Sequence, residues 1–348
     1  MTESIYLGLG IRRKRAEKTL DVYYPEIMLK QACDEFKTIT NQHIAKHDLT
    51  DEQSLLLSNT YSDQLLNLDY DNDQRYYQTD IIVTVFNNLD KAITTTEEAY
   101  FKLQLLSQRL QKPHDINVTG LFGLLHNIAW TNKGPILAED CERERLKAYA
   151  KGEQLIVTHV DKFPYLVNYH IPKGTRIASG SQVRLGAYLG EGTTIMPAGY
   201  VNFNAGTMGK AMIEGRVSAG VMVGNDSDVG GGASIMGTLS GGNNTVIEIG
   251  QSCLLGANAG TGISLGDGCT IAAGLYIYAG MKIALVDHNN NPIDKHGNEV
   301  EKGANIIKAK ELSGHPNLLF IKDSITGMVM AKPNNKQVTL NSALHTND

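Results

Sequence analysis

The sequence predicts a mainly β protein: a left-handed parallel β-helix of six-residue repeats, between an N-terminal α/β domain and a small C-terminal β extension. Three observations carry this. Aliphatic residues recur every six positions over more than a hundred residues. Of the 35 glycines, 25 lie between positions 171 and 283. Helical and alternating apolar patterns are confined to the flanks.

The beat begins with Ile171, Ile177, Val183, Leu189, Ile195 and Val201. It resumes at Val217, Val223, Val229 and Ile235, again at Ile249 and Leu255, and again at Leu265, Ile271, Ile277 and Ile283. Neither a helix nor a plain strand repeats every six residues. A coil of three short strands and three turns does, and it stacks each aliphatic residue on its equivalent one coil away. Each such burial contributes about 1.5–3 kcal/mol. Small residues after the aliphatic position suit the corners. The beat slips between Val201 and Val217, between Ile235 and Ile249, and between Leu255 and Leu265. Slips in a solenoid predict loops on its outer surface, here around "NAGTMGKAMIEGR" and "GTLSGGNNTV".

The expected domains are 1–110, α/β; 111–170, connecting; 171–288, β-helix; and 289–348, the C-terminal extension. In the first, "EIMLKQACDEFKTITNQHI" and "TTEEAYFKLQLLSQRLQ" have helical spacing with charged outer faces, and "DIIVTVFNN" reads as a strand. "CERERLKAYAKG" reads as a helix in the connecting region. "NLLFIKD" and "TGMVMAKP" read as strands of the extension, and flanking elements can cover the open ends of the coil.

A net charge of -5 gives no general attraction for nucleic acid. No run of 18 apolar residues offers a membrane span, and the N-terminus lacks the order of a signal peptide, so a cytoplasmic protein is expected. The scattered cysteines read as reduced thiols. "LGLGIRRKR" lacks the third glycine of a dinucleotide loop, and its basic run reads as a solvated or intersubunit face. There is no histidine from 171 to 287, which argues against a three-histidine zinc site on the coils.

Ionisable residues are scarce in the repeat. Glu214 and Arg216 stand together at a slip, in "MIEGRVSAG". They read either as a surface ion pair or as a proton-handling carboxylate beside a cation for an anionic substrate.

"MIEGRVSAGVMVGNDSDVGGGASIMGTLSGG", "IGQSCLLGANAGTGISLGDGCTIAAGLYIYAG" and "KAKELSGHPNLLF" resemble the tetrahydrodipicolinate N-succinyltransferase family in its longer form. The likeness covers roughly residues 165 to 345. It implies a homotrimer with active sites between subunits. It also implies transfer of succinyl from succinyl-CoA to the amine of ring-opened tetrahydrodipicolinate, a dicarboxylate. The product would be N-succinyl-2-amino-6-oxopimelate, on the diaminopimelate route to lysine. The family's catalytic glutamate falls on Glu214, as general base or as acyl-anhydride nucleophile. The base is favoured, because a deprotonated amine already attacks a thioester readily. The family's succinyl-CoA contacts fall on Arg216, Gly231, Ser234, Ala257, Ala272, Ala273, Gly280 and Lys308, and on Ile321, Lys322, Asp323 and Ser324. Small residues let the pantetheine arm reach backbone. Lys308 and Lys322 suit its phosphates, and Arg216 suits the succinyl carboxylate. Some relatives hold a divalent ion on the threefold axis. The matching positions here are Ser181 and Ala198, so no metal is expected. Two rivals stand beside this reading: another CoA-dependent acyltransferase, for instance with an acetyl donor, and a β-helical binding scaffold.

Overall fold

The computed structural model describes residues 4–31, 42–68, 75–241, 244–335, 340 and 345. They form two compact units. One comprises Met1–Leu105, Asp115–Pro164 and Asn168–His170; the other comprises Leu106–His114, Tyr165–Val167 and Ile171–Asp348.

The N-terminal unit is built on an antiparallel sheet. Its central strand β1 (Ser4–Arg15) lies between β2 (Lys18–Tyr23) and β5 (Gln78–Phe86). Strand β3 (Ile27–Gln31) also pairs with β1, and β4 (Gln42–Ala45) pairs with β5. Alternation on β1 explains the layering. Ile5, Leu7 and Leu9 are buried with Leu57, Tyr61 and Val83 on one face. On the other face a side chain at Gly8 would come within 2.6 Å of the Phe101 ring, and one at Gly10 within 2.6 Å of Tyr24. The two glycines therefore seat aromatic rings, and "LGLG" is not a phosphate loop.

The helical reading of 26–44 needs correction. Its two ends are the strands β3 and β4, and 32–41 lies outside the described residues. Pairing of Ile27 with Gly8 and of Leu29 with Tyr6 overrides the local spacing. Within the basic run, Arg12 and Arg13 are held by carboxylates, whereas Arg15 is exposed. Arg12 binds Asp80 at 2.6 Å and Glu97 at 3.0 Å. Arg13 binds the fully buried Asp21 at 2.8 Å. Burial pulls the Asp80 carboxyl up, and the hydrogen bond and charge of Arg12 more than reverse this, leaving it below its ordinary value.

The predicted helix at 95–111 forms as Thr96–Ser107, without the expected charged face. Lys102 and Gln104 are buried along with Tyr100, Phe101 and Leu103. The Lys102 ammonium donates to the carbonyls of Leu89, Lys91 and Asn117 at 2.6–2.9 Å, and burial lowers its pKa to about 8. The helix at Cys141–Ala150 matches its expectation.

The second unit is the left-handed parallel β-helix, and its three faces carry three inward columns. The first runs Ile177, Ile195, Ile213, Val229, Leu255, Ile271 and Phe320. The second runs Val183, Val201, Val217, Ile235, Thr261 and Ile277. The third runs Leu189, Thr207, Val223, Ile249 and Leu265. Apart from Ile177, which is half-buried, all these residues are buried. Ile171, read as the first beat, is 76% exposed, because the coils begin at Ile177.

Two of the three slips are not outer loops. "NAGTMGKAMIEGR" is regular coil, with Thr207 and Ile213 filling their columns. What is missing is two residues of a corner: Ile213 to Val217, and likewise Thr261 to Leu265, span four positions instead of six. The threonines hid this by standing where an aliphatic residue was sought. The slip after Ile235 is a true insertion, closed by a bridge between Thr238 and Val246. Thr207 earns its place by hydrogen bonding: its hydroxyl meets that of Thr193 at 2.6 Å and accepts from the Gly190 N–H at 3.2 Å. Thr207→Val keeps the shape and removes both bonds. The expected loss is about 1–2 kcal/mol in chemical denaturation, and an unchanged midpoint would show that shape alone holds the column.

The C-terminal extension finishes the first face. Leu318–Lys322 adds in parallel to Thr270–Ile271 and turns into the antiparallel Val329–Pro333.

Candidate functional site

The corner between the first and second faces forms one edge of the prism, and most of the candidate residues lie on it. Coil by coil, the edge carries Glu214 after Ile213, Gly231 after Val229, Ala257 after Leu255, and Ala272 and Ala273 after Ile271. Ile321 to Ser324 follow Phe320 at its end. The small residues have two jobs. Gly230 and Gly256 let the coils close: a Cβ there would stand 2.7 Å from the Leu255 carbonyl and 2.5 Å from the Ala273 nitrogen. Gly231, Ala257 and Ala273 instead leave the outer surface bare, and Ala257 and Ala273 are exposed.

The backbone along this edge has a repeating gap. Gly232 N–H donates to the Glu214 carbonyl at 3.2 Å, Asn258 to Gly231 at 2.9 Å, and Gly274 to Ala257 at 2.9 Å. Among the described residues, no hydrogen bond uses the N–H of Gly231, Ala257 or Ala273. Three unpaired donors therefore stand one per coil, at the strand spacing of about 4.8 Å.

Glu214 stands at the shortened corner. Its Oε2 lies 3.4 Å from where a Gly231 Cβ would be, so the carboxylate reaches over the next coil. It is half-buried, and among the described residues its carboxylate accepts no hydrogen bond and pairs with no cation. The ion pair with Arg216 is absent. Arg216 is exposed on the second face, in register with Tyr200 and Ser234. Asp228, which sequence reasoning passed over, lies on the first face beside Met212. Burial raises its pKa, and the charge of Glu214 adds to the rise. Its only signal in the sequence is "DSDVGGG", which reads as a turn.

Gly280 and Lys308 belong to the next edge. Gly280 follows Ile277 at the corner of the second and third faces, and Lys308 pairs with Lys282 on the strand beyond. The second face, with Arg216 and Ser234, separates them from Glu214. At the tail, the Asp323 carboxylate accepts from the N–H groups of Thr326 and Ile325, which hold its pKa below the ordinary range and pin the turn. Lys322 and Ser324 are exposed beside it. Ser181 hydrogen-bonds Ser179 at 2.9 Å, and Ala198 offers no ligand atom. Among the described residues, no three His, Cys, Asp or Glu side chains gather as a metal ion would need. No described helix is long and apolar enough to cross a membrane.

The edge thus pairs an unengaged carboxylate with a track of unpaired amides, a combination able to take a proton and hold an extended, carbonyl-bearing chain. Comparison with known proteins agrees in kind. The profile "Hexapeptide repeat of succinyl-transferase" matches residues 246–279, and "Tetrahydrodipicolinate N-succinyltransferase middle" matches 125–165. A 2,3,4,5-tetrahydropyridine-2,6-dicarboxylate N-succinyltransferase of Pseudomonas putida is 52% identical over 74% of this chain and 72% of its own. The protein of that name from Vibrio cholerae is 50% identical over 77% of this chain and 75% of its own. A crystal structure from Campylobacter jejuni, described as a 2,3,4,5-tetrahydropyridine-2-carboxylate N-succinyltransferase, superposes with a TM-score of 0.78. It is 32% identical, and the match covers 97% of this chain and 94% of that one.

Proposed function

The chain belongs to the tetrahydrodipicolinate N-succinyltransferase family, and from that premise we propose how its residues divide the work of moving succinyl from succinyl-CoA to the amine of ring-opened tetrahydrodipicolinate. The observation that carries the proposal is the edge itself, with Glu214 under a column of three unpaired amides. The pantetheine arm lies along Gly231, Ala257 and Ala273, its amide carbonyls accepting from their N–H groups. Ala272, Ser234 and Ile321 line this path, and Lys322 and Ser324 face the far end of the donor. Gly280 and Lys308 serve the same donor from the next edge. Arg216 receives the succinyl carboxylate.

Glu214 is the general base. It takes a proton from the acceptor's neutral amine as the nitrogen forms its bond to the thioester carbon. The oxyanion of the tetrahedral intermediate accepts from a free backbone N–H of the edge. The carbon–sulfur bond then breaks, and the proton on Glu214 passes to the departing thiolate. The amide product and CoA leave. No step uses a metal. A homotrimer with sites between subunits, working in the cytoplasm, completes the reading. It fits an exposed edge that one chain leaves open.

The test is thiol release from succinyl-CoA, with and without tetrahydrodipicolinate, and with acetyl-CoA as a parallel donor. Release is expected only when succinyl-CoA and the dicarboxylate are both present. Comparable rates with acetyl-CoA would overturn the donor assignment, and no release with either would overturn the reaction.

A further inference from the structure

We propose that the N-terminal unit holds a second binding site, for a small multivalent organic anion, formed by Arg15, Arg75 and Lys151 over an apolar floor. These residues border a cavity of about 460 Å³, the size of a metabolite site. All its lining residues belong to the N-terminal unit, whereas the succinyl-transfer edge lies wholly in the other. None of the residues assigned above to succinyl transfer lines it.

Charge accounting favours an anion. Five cations face the cavity: Arg15, Arg75, Lys133, Lys147 and Lys151. Two carboxylates face it, Glu144 and Glu153. Both are occupied, Glu153 by Lys133 and Glu144 by Lys147 at 2.8 Å. Five minus two leaves three positive charges. Among the described residues, none of Arg15, Arg75 and Lys151 forms an ion pair; the charge of Arg15 does reach Asp140, outside the lining, but Arg143 already holds that carboxylate at 3.0 Å. The helix Cys141–Ala150 ends here, with Lys151 as its C-cap. Its dipole supplies only about half a negative charge, too little to balance three.

The cations come from separate parts of the chain, and one is held in place. Arg15, at the end of β1, donates to the Tyr76 carbonyl at 3.0 Å and lies 4.9 Å from the centre of that ring. Tyr76 in turn donates to Asp140 at 2.6 Å. Such a fixed guanidinium loses little freedom on binding a carboxylate or phosphate. Ile136, Ala148 and Leu155 are buried beneath and offer a seat for a short carbon skeleton. A polymer such as nucleic acid does not fit so small a concavity. The fitting ligand carries two or more carboxylate or phosphate groups on a small body.

The test is calorimetric titration of the full chain, with CoA saturating so that the transfer edge is filled. Citrate and inorganic pyrophosphate serve as probes. One site per chain is expected, with a dissociation constant below about 1 mM and at least several-fold weakening from 50 to 300 mM salt as the charges are screened. Tighter citrate would assign a polycarboxylate, and tighter pyrophosphate a phosphate ester. Arg75→Glu with Lys151→Glu should weaken the better probe by tenfold or more and leave succinyl transfer without probe unchanged. Lys151→Met, a milder change, should weaken it several-fold if the double variant folds poorly. No heat from either probe, or equal binding by the variants, overturns the proposal.

Discussion

Glu214→Gln is expected to lower kcat by about 10²–10⁴-fold, the range for loss of a general base, while leaving the fold and donor binding intact. Glutamine matches glutamate in shape and cannot take a proton. Because no described side chain hydrogen-bonds the Glu214 carboxylate, the exchange breaks no bond within the chain. The melting temperature should therefore hold, and so should the affinity for succinyl-CoA, which the proposed mechanism assigns to backbone amides and Arg216. Removing the charge also relieves Asp228, whose pKa should fall toward its ordinary value, although burial keeps it raised. The same assay separates base from acyl-anhydride nucleophile. An anhydride route would release one equivalent of CoA per site from the wild-type protein before any acceptor is added. A base route releases none. Near-normal turnover by Glu214→Gln would remove the residue from the chemistry altogether.

The prism was legible because its core repeats a residue type. Val183, Leu189, Ile195 and Val201 declare three columns before any coordinate is known. The columns became illegible where a different type does the same packing. Thr207 and Thr261 are fully buried, yet read as polar, so two trimmed corners looked like loops. The N-terminal unit was harder for a related reason. Whether 27–31 is helix or strand is decided by its pairing with β1, a partner distant from it in sequence, and spacing within the segment does not report it. At the site, residue types marked where to look: a rare carboxylate amid glycine and alanine. The property proposed to bind the donor there is the pattern of unpaired N–H groups, which every residue but proline possesses and which only the coil geometry leaves unused. The ionic roles of Arg12 and Arg13 were hidden likewise, since Asp80 and Asp21 approach them across strands.

Phe320→Ala should be the most destabilising single change in the coil, at about 3–5 kcal/mol for a buried Phe truncated to Ala. Phe320 is fully buried and ends the first column over Ile271. In the proposed mechanism it also ties the core to donor binding, because Ile321 to Ser324 follow directly on the strand Leu318–Lys322, which is held by its pairing with Thr270–Ile271. Two losses should appear together: a lower melting temperature, and a higher KM for succinyl-CoA at temperatures where the chain stays folded. The kcat at saturating donor should change less, since Glu214 stands several coils away. Phe320→Leu keeps a large apolar side chain in the column and should recover most of both. Hydrogen exchange locates the effect, with faster exchange in 318–333 expected ahead of the coils below. A destabilised Phe320→Ala with unchanged KM would separate the cap from the donor site. Residues 321 to 324 would then serve only the end of the prism, with donor binding resting on Gly231, Ala257 and Ala273.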